Sequence, residues 1–382
     1  MTLFAGYQNE IYLRGVAGER PAHPVAWDEL ERAAEAALPS EAAGYLLGGA
    51  STEDTMRENL AAFRRRRIVP RMLAGVGERE LACEVLGTHM PAPVLLGPVG
   101  VQTIVHPDGE LASARAAAAV GLPYVTSTAS SHPLEQVAEA GGPRWFQLYW
   151  PREPELTASL IGRAERAGYS AVVVTLDTTL LGWRPRDLQQ AYLPFLQGLG
   201  LANYFSDPVF RASLARPPEE DGRAAVERFV DVFYNPGIAW DDLAALRELT
   251  RLPILLKGIL AGDDARRARE HGMDGVIVSN HGGRQLDGAI ATLDALPAVV
   301  AAVGDDLAVL LDSGVRCGAD ALKALALGAR AVLLGRTYMY GLALGGESGV
   351  ERVLRAFLAD LDLALALSGH RSPAELSPEI LV

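Results

Sequence analysis

Eight short aliphatic runs recur along this chain, and they limit its possible folds more than any other feature. They are Val94–Leu96, Tyr124–Thr126, Trp145–Tyr149, Ala171–Val174, Ile254–Leu256, Gly275–Val278, Ala308–Leu311 and Ala331–Leu334. Each is too short for a helix and too continuous for a strand with one wet face, so each reads as a strand buried on both sides. Stretches rich in Ala, Leu and Arg separate most of them, including Glu110–Val120, Glu153–Ala167, Asp263–His271 and Ala319–Leu327. Strand alternating with helix means a parallel sheet. Eight such units in one chain predict a closed α/β barrel of the (β/α)8 TIM type.

The 382 residues are expected to form one domain around that barrel. Residues 1–90 make an N-terminal helical extension, with a helix from Trp27 that Pro39 stops and a stretch Gly44–Ala50 that ends in a turn. Within that stretch, Tyr45 taken alone reads as a core aromatic. The barrel occupies 91–345, and 346–382 hold a C-terminal helix over Glu351–Leu367. The fourth crossover breaks the rhythm: from Leu181 to about Trp240 it is rich in Gly, Pro and mixed charge. A long loop leaving the catalytic face of a barrel suggests a lid, about 185–240, with a spacer used for subunit contact as the competing reading.

A net charge of −12 argues against nucleic acid or an anionic membrane as partner. The one basic run, Arg64–Arg67, reads as a solvated or subunit-facing edge. No apolar run reaches the ~18 residues needed to span a bilayer, and Met1–Tyr12 lacks a basic leader. Cys83 and Cys317 show neither a disulfide framework nor metal spacing. A cytoplasmic protein without a metal is expected.

In such a barrel the residues just after each strand face the site. Here they are Pro98-Val99-Gly100, Ser127-Thr128, Gln147-Leu148-Tyr149, Thr175-Leu176-Asp177, Lys257-Gly258, Ser279 to Arg284, Asp312 to Arg316, and Gly335-Arg336. The last two loops suit a phosphate: Gly314 and Gly335 let backbone N–H groups approach, while Arg316 and Arg336 add charge. Ser127, Gln147 and Thr175 can hydrogen-bond the heteroatoms of a flat ring. No Gly-x-Gly-x-x-Gly follows a strand, which argues against NAD. Lys257 ends an apolar strand and needs an anionic partner, either a reduced cofactor or Asp312.

The loop Ser279-Asn280-His281-Gly282-Gly283-Arg284-Gln285-Leu286-Asp287-Gly288 sets a titratable base three residues before a fixed cation. This decapeptide resembles the active-site signature of the FMN-dependent α-hydroxy-acid oxidising enzymes, the group of glycolate oxidase, lactate oxidase, mandelate dehydrogenase and lactate 2-monooxygenase. The likeness runs from Tyr7-Gln8-Asn9-Glu10-Ile11-Tyr12 to the C-terminal helix. Within the family, Gly182-Trp183-Arg184-Pro185-Arg186-Asp187 and the long lid look most similar to lactate 2-monooxygenase.

The resemblance implies FMN as cofactor, a small 2-hydroxy acid and dioxygen as substrates, and a homotetramer or homo-octamer. It implies His281 as general base, Asp177 as its hydrogen-bonding carboxylate, and Lys257 as the cation that offsets charge on the flavin. Tyr45, Tyr149, Arg184 and Arg284 match its substrate positions. Its cofactor contacts fall on Pro98, Val99, Gly100, Ser127, Gln147, Thr175, Lys257, Ser279, Asp312, Gly314, Arg316, Gly335 and Arg336. Two departures matter. Ala129 replaces a bulky tryptophan of glycolate oxidases, which implies a roomier pocket. Gly100 stands where many relatives have alanine: either it leaves a methyl-sized space at the cofactor's reacting edge, as in lactate 2-monooxygenases, or it merely serves the turn.

Overall fold

The computed structural model describes residues 4–382. Eight parallel strands close into a barrel, here β1 Val94–Leu96, β2 Tyr124–Ser127, β3 Arg144–Leu148, β4 Val172–Thr175, β5 Ile254–Ile259, β6 Gly275–Val278, β7 Ala308–Leu311 and β8 Ala331–Leu334. Each pairs with its sequence neighbour, and β8 pairs with β1 in the register Val332–Val94, Leu333–Leu95, Leu334–Leu96. The barrel is the expected one: four strands keep the expected boundaries, and the other four are shifted by one to three residues.

Alternation along the strands sorts the core into two parts. Leu95, Val125, Trp145, Val173, Leu255, Ile277, Leu310 and Leu333 fill the barrel interior. Their neighbours, such as Leu96, Phe146, Val172 and Val276, face the outer helices. A hairpin, Cys83–Val85 with Thr88–Met90, sends Val85 and Met90 into the interior cluster. The Trp145 indole N–H finds its buried partner there, donating to Thr88 Oγ1 at 2.9 Å.

Ahead of the barrel run helices Gly6–Val16, Trp27–Ala37, Ser40–Leu47 and Asp54–Arg65. Tyr45 therefore sits on the helix Ser40–Leu47, ahead of the turn at Gly48. The Asp54–Arg65 helix is capped from far away. Asp287 accepts from Thr52 N and Thr55 N, both at 2.9 Å, and so fastens the loop after β6 to the extension. Helix Arg336–Leu367 follows β8 and is broken at Gly345–Gly346.

The fourth crossover is not irregular. It holds helices Pro185–Gln189, Ala202–Phe205, Pro208–Ala212 and Gly222–Phe233 before the short Leu243–Glu248. Its own apolar cluster explains the order: Phe195, Tyr204, Phe210, Phe229 and Phe233 are buried together, with Phe229 and Phe233 ring centroids 4.7 Å apart. Asp207 caps Pro208–Ala212 through Val209 N and Phe210 N and also takes Arg163 at 3.0 Å. Among the described residues both cysteines are free, and no helix is long and apolar enough to cross a membrane.

Candidate active site

The C-terminal ends of the strands open into a cavity of about 1070 Å³, including its mouth. Tyr45, Pro98, Val99, Gly100, Tyr149, Arg184, Lys257, His281, Arg284, Asp312, Gly314, Arg316, Gly335 and Arg336 all line it. Asp177, Ser127, Gln147, Thr175 and Ser279 stand just behind that lining. All the residues singled out in the sequence thus gather at one end of the barrel.

His281 follows β6 through Ser279 and Asn280. Its φ is +57°, and Gly282 and Gly283 continue left-handed at +66° and +75°. A side chain at Gly283 would lie 2.6 Å from Met56 N, which is why the loop spends its glycines there. Holding a histidine in that region costs of order 1–3 kcal/mol and needs surrounding support. The support is specific: His281 N donates to Ser279 Oγ at 3.1 Å, Gly282 N to Ser313 Oγ at 2.8 Å, and Gly283 N to Asn280 Oδ1 at 3.1 Å. Asn280 is in turn locked to Asn59 by reciprocal amide bonds of 2.8 Å.

The His281 ring meets Asp177 at 2.8 Å from Nδ1 to Oδ1. A carboxylate only accepts, so Nδ1 carries the hydrogen and Nε2 keeps its lone pair. Thr178 Oγ1 donates to the same Asp177 oxygen at 3.0 Å. Burial would push the Asp177 carboxyl up, but His281 and Lys257 outweigh it and hold it at about 2. Burial lowers the His281 pKa, with Lys257 acting the same way and Asp177 in opposition. A neutral imidazole beside a fixed anion is a base with one tautomer.

Lys257 is re-aimed by a register shift between Lys257 and Ile259. Its Nζ donates to Ser279 Oγ at 2.9 Å and lies 3.3 Å from Asp312 Oδ2. Burial lowers its pKa, yet Asp312 and Asp177 raise it further, so the ammonium persists. Gly258, at φ +112°, allows this: a side chain there would sit 2.9 Å from Asp177 Cβ.

Four arginines crowd the cavity. Arg184 donates through Nε to Arg284 O at 3.0 Å and through Nη2 to Gln285 Oε1 at 2.8 Å. Arg284 donates to Gly48 O at 2.7 Å, with its guanidinium carbon 5.1 Å from the centre of the Tyr45 ring. Arg336 donates to the carbonyls of Leu46, Gly282 and Gly48. The Arg316 Nε is buried without a partner, 3.7 Å from Glu31. Burial and neighbouring arginines pull Arg284 down to about 9 and Arg336 to about 10. Buried cations seek anions. Gly335 adds an open cradle, since a side chain there would meet nothing within 4 Å. The residues fit a cofactor phosphate together with a substrate carboxylate.

The neutral side is different. Ser127 Oγ donates to Gln147 Oε1 and Gln147 Nε2 to Thr175 Oγ1, each at 2.9 Å. Tyr149 lies with its ring centre 6.5 Å from that of His281 and 5.2 Å from that of Phe233.

One expectation needs correction. A side chain on Gly100 would not enter free space, because its Cβ would lie 2.7 Å from Ala129 O and 3.0 Å from Ala129 Cβ. Ala129 itself is buried beneath the lid, where a side chain on Gly200 would fall 3.0 Å from Ala129 O. Sequence reasoning missed the wall that the lid supplies, made of Leu181, Phe195, Phe233 and Tyr234. It also missed Asp187, whose carboxylate is buried without a hydrogen-bond partner and feels Arg284 and Arg184. Its place three residues after Arg184 was the available signal.

A closed eight-stranded barrel with a histidine–carboxylate pair and clustered cations at its C-terminal mouth makes a barrel site with a general base for anionic ligands. The chain belongs to the FMN-dependent dehydrogenase family, whose model matches residues 34–382. It is 44% identical over 365 residues to an L-lactate oxidase of Lysinibacillus sphaericus, covering 95% of this chain and 94% of that one. Human 2-hydroxyacid oxidase 1 is 43% identical, over 90% of this chain and 92% of its own length. A mandelate oxidase structure with benzoyl-formic acid superimposes with a TM-score of 0.83 at 39% identity, covering 94% and 98% of the two chains. The cofactor is FMN, and the chain is an oxidoreductase of the hydroxy-acid oxidase group.

Proposed function

We propose that this protein oxidises a small L-2-hydroxy acid with dioxygen as the acceptor. The observation that carries the reading is His281 bound to Asp177 at 2.8 Å in the same cavity as Arg184 and Arg284. The two arginines would clamp the substrate carboxylate and fix the α-carbon. His281 Nε2 would take the substrate's proton, and Asp177 would stabilise the resulting imidazolium. Tyr45 and Tyr149, whose hydroxyls burial keeps protonated, would donate to the carboxylate and the developing oxo group.

FMN, when bound, accepts the substrate's electron pair and passes it to dioxygen. Arg316, Arg336, Gly314 and Gly335 would hold its phosphate. Ser127, Gln147, Thr175, Ser279, Asp312 and the Pro98–Gly100 backbone would border its ring system, with Lys257 supplying the counter-charge. Anaerobic mixing with L-lactate, glycolate and L-mandelate tests the reading: at least one should bleach the flavin, and bleaching by none would overturn it.

The finer outcome we propose is that of a lactate 2-monooxygenase: acetate and carbon dioxide, in place of pyruvate and hydrogen peroxide. Its support is the lid wall of Phe195, Phe233 and Tyr234, which lines the cavity together with His281 and would help to retain the keto acid. Stoichiometric hydrogen peroxide would refute it and leave the oxidase reading intact. Assembly as a cytoplasmic homotetramer or homo-octamer belongs to the same reading. It is supported by Tyr12, Leu13 and Val16 exposed on the first helix, and light scattering tests it.

A further inference from the structure

One side chain outside the cavity lining satisfies all its hydrogen-bonding capacity on a single neighbouring loop. Gln285 Nε2 donates to Asp177 O at 2.7 Å and to Leu180 O at 2.8 Å. Its Oε1 accepts from Arg184 Nη2 at 2.8 Å and from Gly182 N at 3.3 Å. Four groups between Asp177 and Arg184 thus converge on one amide. The backbones beneath touch as well: a side chain on Gly182 would lie 2.6 Å from Arg284 O and 2.7 Å from Gln285 O.

The consequence for Arg184 is geometric. A guanidinium offers two forked faces, and Arg284 O and Gln285 Oε1 occupy the one formed by Nε and Nη2. The head fork, Nη1 with Nη2, is left for the cavity that Arg184 lines. Gln285 also fixes the carbonyl of Asp177, whose carboxylate orients His281.

We propose that Gln285 is a positioning residue that aims the carboxylate-binding fork of Arg184 by zipping the loop after β4 to the loop after β6. The proposal rests on the carboxylate-clamp reading above. Met fills a similar volume without polar atoms, and Glu keeps the acceptor while losing both donors.

The test measures oxalate affinity by titration calorimetry on the FMN-loaded protein, together with KM and kcat for the best hydroxy acid. Gln285→Met and Gln285→Glu should each weaken oxalate and raise KM by about tenfold or more, with kcat falling less. In Glu the added charge competes with the ligand for Arg184, so its loss should be the larger of the two. The double variant Arg184→Lys/Gln285→Met should bind oxalate within about twofold of Arg184→Lys alone, because a residue acting through another adds nothing once that one is gone. Additive losses, or a fall in kcat with oxalate affinity unchanged, would overturn the proposal. A wild-type protein that binds oxalate but turns over no hydroxy acid would defeat the activity reading while the calorimetric cycle still decides this one. A wild-type protein that binds no oxalate would overturn the clamp and Gln285's role together.

Discussion

The two sides of the cavity solve the problem of buried polarity in opposite ways. On the neutral side, Ser127, Gln147 and Thr175 satisfy one another along β2, β3 and β4. On the charged side, Arg184, Arg284, Arg316 and Arg336 crowd together on the loops after β4, β6, β7 and β8, with carbonyls as their main partners. A neutral network can be complete before any ligand arrives. A cluster of like charges cannot, and the lowered pKa values of Arg284 and Arg336 express its cost. The neutral side is therefore preformed scaffold, whereas the charged side stores the affinity that an anion releases.

The sharpest test of that division is the histidine set within the charged side. His281→Ala should keep FMN and lose flavin reduction by ~10²–10⁴-fold, the usual loss for a general base. A variant within about threefold of wild type would remove His281 from the chemistry. The same residue sets a pH signature. Its folded-state pKa is lowered, so the neutral base survives below pH 6.5, and the acid limb of kcat/KM should lie under that value. Stability follows the matching sign: below 6.5 the unfolded chain takes the proton first, so His281 destabilises the fold as pH falls. Asp177 adds to the loss, since its contribution is complete above 3.8 and fades as pH drops toward about 2.

Next in size is Arg184→Lys. It keeps a cation but loses the planar fork, so KM should rise by an order of magnitude or more with FMN retention unchanged. Released FMN with an unchanged KM would move Arg184 to the cofactor and blur the two sides. Thr175→Val should be milder, because it removes one hydrogen bond from a satisfied neutral set. At about 1 kcal/mol, FMN affinity should fall roughly fivefold, readable by fluorescence titration. A loss as large as that from Arg184→Lys would break the contrast.

How much of this could be read in the sequence depended on what each residue needs from distant chain. The barrel was legible because eight aliphatic runs carry their burial within themselves. His281, Lys257, Arg316 and Arg336 were legible because strand ends in a barrel share one destination. The lid was not. Phe195, Phe233 and Tyr234 reach the cavity only through how the Gly222–Phe233 helix packs on Tyr204 and Phe195, and no local pattern encodes that docking. Gln285 was quoted within its motif but its task was hidden, since its partners lie about a hundred residues upstream. Tyr45 read alone as a core aromatic, and its neighbour Arg284 comes from a distant loop.

Gly100 is the case where a spacing argument met packing, and it yields the smallest expected effect on the reaction itself. The empty methyl-sized space does not exist on that side: an alanine Cβ would press on the Ala129 carbonyl at 2.7 Å. That same carbonyl accepts from Val101 N at 2.9 Å and lies beneath Gly200 of the lid. Ala202 N is tied to Ser130 O close by, at 3.1 Å. A methyl at 100 therefore pushes the end of β2 toward the lid instead of filling the flavin's edge. Overpacking of this kind costs about 1–3 kcal/mol, so Gly100→Ala should lower Tm by a few degrees and speed hydrogen exchange across residues 195–205. Product release should shift only modestly toward pyruvate, because a looser lid retains the keto acid less well. Unchanged exchange in the lid alongside slower reoxidation by dioxygen would show that the methyl acts at the flavin after all, and that Ala129 yields where this packing says it resists.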